Sequence, residues 1–142
     1  MTKIKDYSEL SSLTIATEKV CELILRARAI DVKEGQTDPD SGSNPTDDGG
    51  IDALVNTPDD ATEEEMREVI EGLNDDERVD LIALVYIGRG DMEPAEWSDA
   101  VRLAREREAA NVLPTADWLL GIPNLGDLWD EGLALLGKSC SY

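Results

Sequence analysis

The sequence predicts an all-α fold, a compact bundle of five to six helices around a buried central helix at about 75–88, with a mobile acidic loop at 35–50. Three observations carry this expectation. Leu81-Ile82-Ala83-Leu84-Val85-Tyr86-Ile87 is the longest apolar run in the chain. At 3.6 residues per turn, seven consecutive apolar positions cover the whole circumference, so this helix needs neighbours on every side. Elsewhere apolar residues recur at i, i+3, i+4 and i+7, and no stretch has a convincing strand pattern. The segments between these stripes carry capping residues, glycines and prolines where helices start and stop.

In chain order, residues 1–13 are a lead-in without a clear element. Thr14 or Thr17 caps a first helix reaching about Glu34, with Val20, Leu23, Ile24, Ala27 and Ile30 on its inner face, and Gly35 ends it. Residues 35–50 hold four glycines, two prolines and almost nothing apolar, so the loop has little to bury. Ile51–Val55 is read as a short docking turn and Asn56-Thr57-Pro58 as a bend. Thr62 and Glu65 form a capping box for a second helix whose inner face is Met66, Val69, Ile70 and Leu73. The central helix follows with almost no loop. Asn74 and Glu77 form its capping box, Asp75, Asp76 and Glu77 suit its dipole, and Gly88 and Gly90 are read as its stop. Pro94 opens a fourth helix to about Ala110, with Trp97, Ala100, Val101 and Ala104 inward and Asp99–Arg102 and Arg102–Glu106 pairs outside. Thr115 caps a short helix that Gly121 stops. Pro123 opens a last helix in which Gly126 and Gly132 imply close approach to a neighbour or a ligand.

The chain has 142 residues, the usual size of one domain, and is read as a single helical domain over 1–142. The start of the sequence leads into no apolar signal region, and no run approaches the ~20 apolar residues that span a bilayer. A cytoplasmic location follows as the expectation. Cys21 falls within an apolar helical pattern and is expected as a core thiol; Cys140 lies near the C-terminus. A disulfide between them is disfavoured in a reducing compartment. Histidine is absent, which removes Ser-His-Asp and Cys-His catalysis and histidine metal sites.

The net charge of -19 is concentrated: residues 35–80 carry sixteen acidic and two basic side chains. Such a field repels nucleic acid and anionic membranes and attracts a basic protein. Glu63, Glu64, Glu65 and Glu68 are the candidate acidic partner surface. Arg89, between two glycines, is a candidate anion or carboxylate holder, with Asp91, Asp127, Asp130 and Glu131 as candidate partners. Asp127, Asp130 and Glu131 share one helix face and offer a weak divalent-metal or acid/base site; an acidic solvent face is the simpler reading. A calcium loop begun at Asp38 fails on Ser43 and Gly49, where glycine and glutamate are needed. Arg89-Gly90-Asp91 reads as a helix stop rather than an integrin motif. Trp97, Trp118 and Trp129 are read as core anchors; an exposed one would mark a docking surface.

Two segments resemble a bacterial family, domain of unknown function 3775. They are LNDDERVDLIALVYIGRGD, Leu73 to Asp91, and WLLGIPNLGDLWDEGL, Trp118 to Leu133. The family's second motif runs roughly Tyr-Leu-Leu-Gly, then a proline-started helix ending Glu-Glu-Gly-Leu. This chain has Trp118 for the tyrosine and Asp130 for the first glutamate. The resemblance covers about half the chain and implies a bacterial, cytosolic helical domain; it transfers no activity and no catalytic residue. The functional expectation is a non-enzymatic binding or regulatory protein that meets a basic protein partner through acidic surface, with no cofactor. The alternatives are a small-ligand or divalent-metal site near Arg89, Asp91 and Asp127–Glu131, and a nucleic-acid mimic.

Overall fold

A computed structural model describes residues 13–36 and 63–140. Helix α1 is Thr17–Gln36, α2 spans residues 63–72, α3 is Asp75–Arg89, α4 is Trp97–Ala110, α5 is Thr115–Leu120 and α6 is Leu125–Leu135. A 3-10 turn, Pro94–Glu96, leads into α4. There is no strand among the described residues. The expectations for residues 1–12, for 37–58 and for the Thr62 cap lie outside them.

Helix α3 is the centre. Val79 and every residue from Leu81 to Val85, with Ile87, are fully buried. Helices α4 and α6 pack against α3, α1 packs against α6, and α5 touches α3. The capping box is present: the Glu77 N–H donates to Asn74 Oδ1 (2.8 Å) and the Asn74 N–H to Glu77 Oε1 (3.1 Å). Gly90, at φ 86°, supplies the left-handed residue that ends the helix.

Gly88 is not a stop. It lies inside α3, and a Cβ there would sit 2.0 Å from the Leu128 carbonyl oxygen on α6. A Cβ on Gly132 would sit 2.7 Å from the Leu84 carbonyl oxygen on α3. The Trp129 indole of α6 also donates to the Leu81 carbonyl oxygen of α3 (3.0 Å). On α3 these positions are Leu81, Leu84 and Gly88, one face at helical spacing. The two backbones meet because the glycines bring no side chain between them. Gly126 plays the same part between α6 and α1, where a Cβ would lie 3.0 Å from the Ile24 carbonyl oxygen. The close approach expected at Gly126 and Gly132 is therefore to neighbouring helices.

Three boundaries shift. Helix α1 runs through Gly35 to Gln36, so the first two residues of the expected loop are helical. Thr115 is the first residue of α5 rather than its cap; Pro114 holds the cap position and the Thr115 hydroxyl donates to Glu108. Helix α6 starts at Leu125, because Asn124 at φ 59° breaks the chain direction after Pro123. Arg102 bonds Asp99 (2.8 Å), the i,i+3 pair of the two anticipated.

The cysteine expectation is overturned. Cys21 and Cys140 are joined in a disulfide, with Cα atoms 5.7 Å apart, that links α1 to the segment beyond α6. Cys21 sits half-buried at the edge of the core. The folded packing of α1 on α6 carries the C-terminal segment back to it, which a separation of 119 residues does not announce.

Asp80 is a buried charge that the apolar pattern of α3 conceals, 4% exposed. Its Oδ2 accepts the backbone N–H groups of Thr14 and Ile15 (3.1 Å from Ile15), tying the approach to α1 onto the central helix. Its pKa is raised: burial outweighs the two N–H bonds, and Asp76 adds repulsion. Both N–H groups use one oxygen, so a proton on the other leaves them intact. A raised folded pKa favours folding below the ordinary carboxylate value, about 3.9, and that contribution is lost as pH rises through the folded value. Asp80→Asn keeps an acceptor and cannot ionise. The stability of the wild type relative to Asp80→Asn is expected to fall as pH rises above ~4 and to level off once Asp80 is ionised. Urea midpoints of both proteins from pH 4 to 7 check this; a difference flat across that range would remove the burial account.

Candidate functional site

The best-formed polar site lies where α2, α3, α4 and α5 meet, and Arg78 is its hub. The Arg78 Nε donates to Glu108 Oε2 on α4 (2.9 Å), Nη1 to the carbonyl oxygens of Glu71 (3.0 Å) and Leu73, and Nη2 to Asp75 Oδ1 (2.5 Å). The other oxygen of Glu108 accepts the Thr115 hydroxyl from α5. The side chains of Arg78 and Glu108 are only 15% and 17% exposed. Helix α2 ends here with carbonyls that no further turn satisfies, and the guanidinium fork supplies the missing donors at the negative end of that helix. Beside this network is a polar cleft of about 380 Å³ lined by Glu71, Arg78, Glu108, Asn111, Pro114 and Thr115.

The local sequence explains half of the hub. Arg78 lies three residues after Asp75 on the first turn of α3, so the Arg78–Asp75 pair is a helix-surface neighbour. Glu108 is thirty residues from Arg78, and nothing in the sequence pairs them. Arg78→Lys retains charge but cannot serve four acceptors with one ammonium. It is expected to cost about 2 kcal/mol, below the ~3–5 kcal/mol for breaking a fully buried pair, because the charge is retained and this pair keeps some solvent. Equilibrium urea unfolding reads the loss, and an unchanged midpoint would reduce the hub to surface decoration.

A second constellation runs along the α4–α5 surface. The Arg107 guanidinium lies over the Trp118 ring at 4.3 Å, Trp118 meets Tyr86 edge-on at 6.3 Å between centroids, and Arg89 lies over Tyr86 at 5.9 Å. Trp118 is therefore a half-buried brace, whereas Trp97 and Trp129 are buried core anchors as expected.

The anticipated ligand residues are divided between two places. Arg89 bonds Asp91 through Nε (3.0 Å) and Nη2 (2.8 Å), both side chains exposed. Asp127 and Asp130 instead bond Arg28 of α1, at 2.9 and 3.1 Å. Asp31, also on α1, has its pKa pushed up, first by burial and then by the charge of Asp127. Glu131 is exposed next to this cluster. No group of three acidic or cysteine side chains suited to a metal ion occurs among the described residues.

The anticipated acidic surface lies on the first turns of α2. Glu65 pairs with Arg26 of α1 (3.1 Å) and Glu63 with Arg67 (3.7 Å), which also reaches Asp117 of α5 (2.9 Å). Glu64 and Glu68 are exposed. The row therefore divides into Glu65, which ties α2 to α1, Glu63, which pairs within α2, and two residues that face outward.

Residues 63–138 match the family model described as protein of unknown function, DUF3775. The chain belongs to the DUF3775 family. The matched residues hold α2 to α6, the Arg78 hub, the aromatic brace and both glycine contacts between α3 and α6. The two bonded cysteines of this DUF3775 chain lie outside them, as does α1. No curated protein and no solved structure matches the chain.

Proposed function

We propose that this DUF3775 chain is a non-enzymatic, cytosolic binding module that meets a basic protein partner through its acidic surface. The observation that supports this reading is how its positive charge is used. Seven arginines (Arg26, Arg28, Arg67, Arg78, Arg89, Arg102 and Arg105) each lie against a carboxylate of the same chain. Arginines neutralised by carboxylates of the same chain do not offset the rest of the acid, so the net -19 leaves a surplus negative field. An outward negative field attracts and orients a basic partner and repels nucleic acid. The bonded cysteine pair is of the kind oxidising compartments maintain. A cytosolic module must therefore keep its fold when that bond is reduced, a requirement taken up in the Discussion.

The test is a pull-down of the tagged protein from a native bacterial lysate at low and high salt, read by mass spectrometry. Glu64→Lys/Glu68→Lys serves as the matched control, because those side chains face outward and their reversal disturbs no ion pair named above. A partner lost at high salt supports the reading, since exposed charges are screened, and the reversed chain tells whether Glu64 and Glu68 carry the contact. A partner that survives both would end it.

A further inference from the structure

We propose that the Val112-Leu113-Pro114 turn and the cleft beside it form the docking surface for a segment of a protein partner that carries a lysine or arginine next to an aliphatic residue. This rests on the reading that the partner is basic and places the contact on the molecule.

Val112 is 89% exposed and Leu113 is 44% exposed. Single exposed aliphatic residues are ordinary. Here two stand in succession, followed by an exposed proline, on a turn held from both sides. Asn111 takes the left-handed conformation at φ 48°, and its N–H donates to the Arg107 carbonyl (3.2 Å). The Trp118 N–H donates to the Pro114 carbonyl (3.0 Å). The Thr115 hydroxyl is bonded to Glu108, and Arg107 lies over Trp118, so α4 and α5 are clasped on either side of the turn. A pre-ordered apolar surface loses little freedom when a partner docks, which favours binding.

The cleft supplies the charge preference. Asn111 and Pro114, which flank the two aliphatic residues, are also part of its wall, with Glu71 and Glu108. Arg78 directs its Nε and both Nη groups to Glu108, Asp75 and the two carbonyls. Each Glu108 oxygen accepts one bond and has room for another. The mouth is therefore rich in acceptors and surplus negative charge. An incoming cation finds partners there; an incoming carboxylate is repelled. A segment with a cation for the cleft and an aliphatic side chain for Val112 and Leu113 satisfies both halves.

The experiment pans a random-peptide display library against the whole chain and measures the enriched peptides by fluorescence anisotropy on variants. Enriched peptides should pair lysine or arginine with leucine, isoleucine or valine. Val112→Ser/Leu113→Ser should weaken them by about tenfold or more, the effect of losing a docking anchor. Glu71→Gln should weaken them severalfold, and Glu64→Gln/Glu68→Gln should not. Both serine substitutions fall on exposed positions, and circular dichroism with the urea midpoint confirms that the variant folds; Leu113→Ser alone gives a second measurement. Basic peptides that ignore the serine variant but respond to Glu64→Gln/Glu68→Gln would overturn this docking site and leave the acidic-surface reading standing. Peptides without basic residues would overturn both, and no enrichment over an inert protein would overturn the site. Concentration-dependent dimerisation abolished by Val112→Ser would also overturn it, making the turn a contact between copies.

Discussion

Gly88→Ala is expected to be the most damaging single methyl that can be added to this protein. In an unhindered helix the change favours folding by up to about 1 kcal/mol, because alanine restricts the unfolded chain and extends the helix better. Here the new Cβ would stand 2.0 Å from the Leu128 carbonyl oxygen. That obstacle is backbone in the middle of α6, not the end of a flexible side chain. Relief requires α3 and α6 to separate. Separation opens gaps around Leu84, Leu133 and Trp129, all fully buried, and stretches the bond from the Trp129 indole to the Leu81 carbonyl. Overpacking costs about 1–3 kcal/mol where side chains can adjust; with backbone against backbone the expectation is about 3 kcal/mol or more. That is a large share of the ~5–15 kcal/mol that holds a domain folded. Gly132→Ala, facing the Leu84 carbonyl at 2.7 Å, should behave similarly. Gly72→Ala is the internal control: it lies at the end of α2 with nothing within 4 Å, so it should be neutral or stabilising. Urea midpoints decide the matter. If Gly88→Ala and Gly72→Ala shift the midpoint alike, the close contact of α3 with α6 is not what holds the core.

Reduction of the Cys21–Cys140 bond is the second large effect. The bond closes a loop across 119 residues, so it removes many conformations from the unfolded chain. Chain entropy alone assigns about 4.7 kcal/mol to a loop near 100 residues, and measured native disulfides more often contribute about 2–4 kcal/mol. The expected loss with dithiothreitol, or in Cys140→Ser, is within that lower range. The fold should nevertheless stand. Helix α1 is also held to α6 by the buried Val20, Leu23, Ile24 and Ala27, and by Arg28 on Asp127 and Asp130. The measurement is the urea midpoint of wild type and Cys140→Ser, each with and without dithiothreitol. Wild type should fall to the variant's value on reduction while the variant stays put. If wild type does not move once thiol titration finds both cysteines free, the bond carries no stability. If reduction unfolds the chain, the proposed action in a reducing cytosol fails with it.

What the sequence determined by itself is whatever repeats within a few residues. The apolar circumference of Leu81–Ile87, the Asn74–Glu77 capping box and the inward stripes of α1, α2 and α4 follow from the 3.6-residue period and from caps within one turn. Gly126 and Gly132 were legible as close contacts because glycine inside a helix needs a compensating reason. Asp80, next to the apolar run, reads as one more surface carboxylate of α3, and its partners at Thr14 and Ile15 left no local sign. Everything else depended on which surfaces meet. Arg28, not Arg89, holds Asp127 and Asp130, across about a hundred residues. Glu108 reaches Arg78, Glu65 reaches Arg26, and Cys140 reaches Cys21. A carboxylate on a helix surface carries the same local pattern whether it faces water or an arginine on the next helix. Only the packing of α6 between α3 and α1, set by glycines that let backbones touch, decides which of the two it meets.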